Sequence, residues 1–180
     1  MRQLFAFLAA CAAAGLVHAQ ADPAPITYQG VAIGAAQDAF QSRLPDFQCQ
    51  GSACIYDLTV CAGMGDARAF NAARMNGCME RTAIAGAYVT RAWAQFKNGR
   101  LARIAFTLPS DQAEKLMATV TERHGKPDTL DETPIRTQSG ASFPNRRASW
   151  DVAGTSLTTV QRSLERDSGA ATLAGSTKGW

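Results

Sequence analysis

The sequence is poor in the residues and motifs from which most catalytic sites are built. It has only two histidines, His18 and His124, and it contains no GxSxG, HExxH, phosphate-binding glycine loop or EF-hand pattern. The G-x-G in "GMGDARAF" is not followed by a strand-then-helix unit, so it is interpreted as a turn. The nearest group of carboxylates, Asp128, Asp131 and Glu132, lies in a polar stretch and is expected to be a solvated loop. We therefore expect no catalytic residue, no metal and no cofactor.

The sequence also lacks a strong excess of one charge and any apolar run long enough to cross a bilayer. Its formal net charge of +3 is too small to indicate nucleic-acid binding or a polybasic membrane anchor. The apolar run "LFAFLAACAAAGLV" is shorter than the roughly 20 residues of a transmembrane helix, but it matches a signal-peptide core. Arg2 precedes it, and Val17 and Ala19 occupy the small-residue positions that signal peptidase recognises.

These features predict that residues 1–19 are a removed export signal and that residues 20–180 form a single periplasmic domain without a transmembrane segment. "LAAC", residues 8–11, resembles the lipobox of bacterial lipoproteins and offers an alternative, a lipidated start at Cys11. The apolar stretch before Cys11 is short, and the run continues past it, which favours the cleaved signal peptide.

Four cysteines follow the predicted signal, and they have no CxxC or CxxCH spacing among them. Cys49, Cys54, Cys61 and Cys78 are spaced C-x4-C-x6-C-x16-C, which does not match redox, zinc-ribbon or haem motifs. An even number of cysteines in an exported chain typically forms disulfides. Three pairings are possible, and we favour Cys49–Cys54 with Cys61–Cys78 because each closes a local loop.

The first third of the chain carries weaker secondary-structure signals. "ITYQGVAI", residues 26–33, is rich in β-branched and aromatic residues and predicts an edge strand. Ala36, Phe40 and Leu44 recur on one helical face, and Pro45 ends that helix. "CIYDLTV" alternates like a strand, and residues 66–77 predict one or two helical turns between Asp66 and Gly77.

A β-hairpin is predicted over residues 88–108, because Asn98-Gly99 between two β-rich runs is a strong type I′ turn signal. A two-residue loop would place Trp93 opposite Ile104, Arg91 opposite Phe106 and Val89 opposite Leu108. That face is mainly apolar and is expected to meet the core. The other face would carry Thr90, Ala92, Ala94, Arg103 and Thr107, and Trp93 and Trp150 are both expected to be core residues.

Residues 109–127 predict a helix with Ser110 as N-cap and a buried stripe. Arg123 and His124 fall in its last turn, where a cation complements the helix dipole, and Gly125 suits the left-handed end position. The stripe comprises Ala113, Leu116, Met117 and Val120. Residues 128–146 predict a long polar loop. Two strands around Asp151–Gly154 and a third in "SGAATLAGS" follow.

The order helix then hairpin thus occurs twice. The stretches "VAIGAAQDAFQSRLPDFQC", "FKNGRLARIAF", "LMATVTERHGKPD" and "SWDVAGTSLTTV" together resemble the β-lactamase-inhibitor-protein-like (BLIP-like) fold and small envelope proteins of the SmpA/OmlA type. The resemblance implies an α+β fold of two αββ units, with helices packed on an antiparallel sheet and a disulfide-stapled insertion. It also implies protein–protein binding in the bacterial envelope and no catalytic chemistry.

Arginine and aromatic residues at two places are the candidate contacts for a partner, since both types are enriched at binding hot spots. Arg100 and Arg103 belong to the first hairpin, whereas the others flank or lie within the polar loop: Arg136, Phe143, Arg146 and Arg147. The expected partner is another envelope or periplasmic protein. The alternative is a small hydrolase or a periplasmic protein that binds a small ligand.

Overall fold

The computed structural model of the protein describes residues 23–66, 70–136, 140–163 and 168–176. The predicted signal peptide with Cys11 lies outside these residues. The helices are α1 (Gln37–Arg43), α2 (Leu58–Ala62), α3 (Ala72–Arg81) and α4 (Ser110–His124). The strands are β1 (Gln48–Gln50), β2 (Ala53–Asp57), β3 (Arg91–Lys97), β4 (Arg100–Pro109), β5 (Thr129–Asp131), β6 (Ile135–Arg136), β7 (Ser142–Phe143), β8 (Arg147–Val152), β9 (Thr155–Val160) and β10 (Ser168–Gly175).

Eight of the strands form one antiparallel sheet in the order β1-β2-β3-β4-β10-β9-β8-β5, and β6 pairs with β7 separately. The predicted α+β class with a large antiparallel sheet is confirmed. The predicted hairpin of β8 and β9 and the third strand are also confirmed, and the third strand, β10, lies between β4 and β9. Among the described residues no helix is both long and apolar enough to cross a membrane.

The β3–β4 hairpin forms at the predicted turn, but its register shifts by one residue. Asn98 and Gly99 have φ values of 53° and 71°, as a type I′ turn requires. Phe96 pairs with Leu101, whereas a bulge makes Gln95 pair with Arg103. Because side chains alternate between the two faces of a strand, a shift of one residue on β4 reverses which of its following side chains share a face with the side chains of β3.

The predicted pairs of this hairpin are therefore wrong. Trp93 lies opposite Ala105 and Arg91 opposite Thr107, on the face away from the core, while Ala92 and Ala94 are buried. Arg103 and Thr107 do lie on the outer face, as expected. Val89 is buried as expected, although it precedes β3.

The core lies between one face of the sheet and the helices. All four residues of the predicted α4 stripe are buried, and so is Trp150, whose indole N–H donates to the Gly125 carbonyl at 3.1 Å. The sheet contributes Tyr56, Ala92, Ala94, Phe96, Ile104, Phe106, Leu108, Ala148, Trp150, Leu157, Ala171 and Leu173. Ser110 is the first helical residue rather than the N-cap, and Pro109 in the N-cap position makes no side-chain capping bond. Gly125 ends α4 with a φ of +85°, although its ψ of −172° is not left-handed helical.

Residues 26–33 do not form the predicted edge strand. Tyr28 and Val31 exchange two backbone hydrogen bonds of 3.0 and 2.8 Å around Gln29 and Gly30, which both have positive φ. The segment is therefore a tight turn. It buries the Tyr28 ring, whose hydroxyl donates to the Thr82 carbonyl at 2.9 Å.

The cysteine-rich segment holds two disulfides, Cys49–Cys54 and Cys61–Cys78, in the favoured pairing. The first joins directly opposite positions of β1 and β2, and the second ties α2 to α3. The predicted strand "CIYDLTV" is a strand only to Asp57. Asp57 caps α2, and α3 begins after Asn71 rather than at Asp66. The predicted loop 128–146 contains β5, which extends the main sheet, and the small β6–β7 hairpin.

Candidate functional site

The side of the main sheet opposite the helices carries side chains that stay exposed or half-buried. We call it the open face. Its members are Ile55, Asp57, Arg91, Trp93, Gln95, Arg103, Ala105, Thr107, Arg147, Ser149, Asp151, Ser156, Thr158, Val160, Ala170, Thr172 and Ala174. They alternate along each strand with the buried residues of the core, as the period of two in a β-strand requires.

Strand register aligns one row of side chains across the whole sheet. From β1 to β5 the row is Gln48, Ile55, Trp93, Ala105, Thr172, Thr158, Ser149 and Thr129. Its β2–β3 end is large and apolar, with Ile55 and Trp93 exposed by 55% and 42%. Apart from Gln48 at the β1 edge, its remaining members are small or hydroxyl-bearing, so the open face has a raised apolar end beside a low, polar floor.

Arg103 lies over the raised end. Its guanidinium carbon is 5.4 Å from the centre of the Trp93 ring, which is within the range of a cation–π interaction. Trp93 on β3 pairs with Ala105 on β4, and Arg103 is two residues before Ala105 on β4. Trp93 and Arg103 are therefore diagonal neighbours on the same face. Gln95 is directly opposite Arg103 on the same face. One cation is therefore held against an exposed indole.

A second arginine on this face is already paired. The Arg91 Nε donates to the Asp57 carboxylate at 2.9 Å, and the Thr59 backbone N–H also donates to that carboxylate at 2.8 Å. Burial raises the pKa of Asp57, but the hydrogen bonds from Thr59 and Arg91 outweigh it and lower the pKa below its ordinary value. Asp57 is therefore a stably ionised partner for Arg91.

A cleft of about 920 Å³ adjoins the raised end beside the two disulfides. Ile55 belongs to both the cleft and the open face, and Val60 on α2 adds a side chain that is 59% exposed. Arg81 on the cleft wall forms an ion pair with Asp46 at 2.8 Å, and this hydrogen bond raises the pKa of the guanidinium. The apolar surface thus continues from the sheet onto the stapled segment.

The tyrosines with shifted pKa values lie in the core. Burial raises the pKa of Tyr28, and the nearby Tyr56 and Asp46 raise it further. Burial also raises the pKa of Tyr56, whose hydroxyl donates to the Cys78 carbonyl at 3.4 Å. Both hydroxyls hydrogen-bond to backbone carbonyls, so their role is structural. No group of three or more potential metal ligands occurs in the part of the chain that the structure describes.

The structure separates the six predicted contact residues. Arg103 and Arg147 share the open face, three strand spacings apart, on β4 and β8. Arg100 is at the hairpin end and donates to the Gly34 carbonyl at 3.1 Å. Arg136 and Phe143 belong to the β6–β7 hairpin.

Arg146 and Phe143 also have partners inside the molecule. Arg146 forms ion pairs with Glu132 at 2.9 Å and Glu114 at 3.9 Å. The guanidinium carbon of Arg162 lies 5.7 Å from the centre of the Phe143 ring. Since these charges and this ring are already engaged, they are less suited to a partner than Arg103.

The predicted carboxylate group is likewise engaged within the fold. Asp128 accepts the Asp151 backbone N–H at 2.7 Å, and Asp131 accepts the Thr133 backbone N–H at 3.1 Å. All three are exposed as expected, and with Glu132 paired to Arg146 each of them also has a protein partner.

Sequence reasoning missed Ile55 and assigned Trp93 to the core. The signal for Ile55 is its place between Cys54 and Tyr56, since a disulfide cysteine and a tyrosine on the inner face leave the isoleucine outside. For Trp93 the alternation in "AWAQF" is compatible with either face of the sheet, and only the bulge determines that the side chain lies on the open face.

Comparison of the chain with protein-family models, with curated proteins and with solved structures finds no match.

Proposed function

We propose that the protein is a non-catalytic binding module of the bacterial envelope and that it captures another envelope protein on the open face. The observation that carries the proposal is the pair Ile55 and Trp93, two large apolar side chains that are neighbours on one sheet face and more than 40% exposed. Adjacent exposed apolar residues with an arginine above them are typical of binding surfaces rather than of inert ones.

The order of elements supports the BLIP-like and SmpA/OmlA resemblance as part of this proposal. α1 precedes the β3–β4 hairpin and α4 precedes the β8–β9 hairpin, so a helix-then-hairpin order recurs, with β1, β2, α2 and α3 inserted in the first unit. On this interpretation the two αββ units share one sheet, and the stapled segment is an insertion that enlarges the binding surface.

Export to the periplasm is also part of the proposal. The two disulfides support it, because such bonds persist in oxidising compartments. The intact mass of the protein isolated from its native cell tests it: loss of residues 1–19 is expected, whereas a lipidated start at Cys11 would replace the periplasmic assignment with a membrane-anchored one.

The cleft supports a second candidate, the binding of a small ligand. Its volume of about 920 Å³ is near the upper end of the range for small-molecule sites. Its charged wall residues are already engaged within the protein, so a ligand would compete with existing contacts: Asp46 pairs with Arg81, Asp57 pairs with Arg91, and Arg74 donates to the Cys61 carbonyl. A ligand in the cleft would be expected to protect the purified protein against thermal unfolding in the absence of any partner protein.

Site-specific photo-cross-linking in the native cell tests the main proposal. A photoreactive amino acid replaces Ile55 on the open face or, as a matched control, the exposed Lys115 on α4 at the opposite side of the sheet. We expect a recurrent cross-linked envelope protein from position 55 that is absent from position 115. Equal products from both positions, or none from position 55, would contradict the proposal.

A second variant compares the open face with the contact predicted from sequence. Replacing both Arg146 and Arg147 by alanine tests the edge of the sheet near β5, where Arg146 is ion-paired. If the cross-link from position 55 disappears only in this variant and survives Trp93→Ala, the binding surface is that edge instead.

A further inference from the structure

We propose that the open face recognises a segment of the partner protein in which a carboxylate stands beside a large apolar side chain. The apolar side chain packs against Trp93 and Ile55, and the carboxylate binds Arg103. This inference rests on the proposed function and specifies the chemistry of the partner.

Arg103 is the basis for the carboxylate. It is exposed, and no carboxylate of the described residues lies within ion-pair distance of it, whereas Arg91, on the neighbouring strand, is paired with Asp57. Trp93 holds its guanidinium in a defined position, so less conformational freedom is lost when a partner binds. A guanidinium presents five N–H donors in a planar fork that matches the two oxygens of a carboxylate.

Gln95 strengthens the same site. It is half-buried and lies directly opposite Arg103 on the open face, where its amide N–H₂ can add a neutral donor beside the cation. The Trp93 ring excludes water from one side of the guanidinium, and a charge-assisted hydrogen bond is stronger where water is excluded.

The apolar part of the site follows from the sizes of the neighbouring side chains in the row described above. Ile55 and Trp93 are paired across β2 and β3, and the next member of the row is the small Ala105. A large side chain of the partner can therefore rest on Ala105 and contact the flank of the indole. Such a contact removes the exposed surface of Trp93 from water, which is favourable by about 25 cal/mol for each Å².

Charge on the rest of the open face favours a protein segment over a polyphosphate. Asp57 and Asp151 lie on this face, and Asp131 pairs in register with Arg147 at its far edge. A chain of phosphates that followed the face would meet these carboxylates, whereas one carboxylate next to an apolar side chain meets only the Trp93–Arg103 end.

The test uses the purified protein and three synthetic peptides that present phenylalanine and leucine flanked by aspartate, by asparagine or by lysine. Fluorescence anisotropy is expected to show that the aspartate peptide binds roughly fivefold more tightly than the asparagine peptide, the effect of one partly exposed charge pair. The lysine peptide is expected to bind most weakly. Equal affinities for the aspartate and asparagine peptides, or no binding of any peptide, would overturn the inference, as would tighter binding of an oligothymidylate of similar length.

Arg103→Glu should reverse this order, so that the lysine peptide binds best, and Trp93→Ala should weaken all three peptides. Lys115→Glu on α4 is the matched control, because it makes the same change in net charge on the opposite side of the sheet and should leave the order unchanged. Thermal melting of each variant checks that the fold is retained, and an unreversed order in a folded Arg103→Glu protein would contradict the inference.

The cross-linking experiment separates this inference from the proposed function. If the cross-link from position 55 forms with undiminished yield in Arg103→Glu, the open face binds a partner but not through a carboxylate. If no cross-link forms from position 55 in any variant, the proposed function itself is wrong.

Discussion

A Cβ atom placed on Gly169 of β10 would lie 2.5 Å from the Cβ of Ala113 on α4. It would also lie 2.8 Å from the carbonyl oxygens of Val160 and Gln161. α4 therefore touches the sheet backbone at this point, and the pairing of a glycine with an alanine sets how closely the helix can approach.

Gly169→Ala should destabilise the protein by about 1–3 kcal/mol, because the added methyl group meets backbone atoms that cannot move aside as a flexible side chain could. The midpoint of urea unfolding measures the change. Gly65→Ala is the control, since no atom lies within 4 Å of its added Cβ and its φ is not positive. Equal midpoints for the two variants would show that α4 does not pack this closely.

The two disulfides should differ in their contribution to stability. In the chain-entropy model, the Cys61–Cys78 bridge, with a sequence separation of 17, contributes about 3 kcal/mol. The Cys49–Cys54 bridge, with a separation of 5, contributes about 2 kcal/mol. Replacing each pair by two alanines and measuring urea unfolding should show the larger loss for Cys61–Cys78. The reverse order would mean that the β1–β2 bridge stabilises the folded state directly.

Trp93 and Trp150 should respond differently to a fluorescence quencher. Trp93 is 42% exposed and Trp150 only 1%, so acrylamide should quench Trp93 much more strongly. The measurement uses variants in which Trp180, which lies outside the described residues, is phenylalanine and one of the two other tryptophans is also phenylalanine. Strong protection of Trp93 would indicate the unbulged register of the hairpin, with Trp93 in the core.

Stability should fall as the pH rises above about 10, the ordinary pKa of a tyrosine. Burial raises the pKa of Tyr28 in the folded state, so the unfolded chain releases this proton first and gains stability relative to the folded protein. The contribution of Tyr28 to the free energy of unfolding is complete below the pKa that this tyrosine has in the unfolded chain, and it is lost progressively as the pH rises above that value.

Tyr28→Phe should therefore cost about 1 kcal/mol at neutral pH, where the hydrogen bond to Thr82 is lost, but should reduce the alkaline slope. Urea unfolding from about pH 8 to about pH 11 measures both effects. An unchanged slope would show that Tyr28 is not the group that couples alkaline pH to unfolding.

Local signals were sufficient for the parts of the fold that depend on neighbouring residues. Asn98-Gly99 placed the β3–β4 turn, and the spacing of Ala113, Leu116, Met117 and Val120 placed α4 with its buried face. The spacing of the cysteines also indicated their pairing, because short loops close most easily.

The position of β10 between β4 and β9 depends on residues far apart in the chain, and no local pattern carries that information. The bulge at Gln95 and Phe96 is a second case, because "AWAQF" alternates equally well in either register. The register shift at this bulge determines which residues form the candidate site. It moved Trp93 from the core to the open face, next to the arginine that sequence analysis had already singled out.

The place of β10 also has a consequence for the order of assembly. It is the last described strand along the chain, yet it joins β4 to β9 at the middle of the sheet. A nascent chain that has not yet delivered residues 168–175 holds two half-sheets, each with an unpaired inner edge. The two halves of the open face are then not joined, so the complete surface forms only when β10 inserts between β4 and β9.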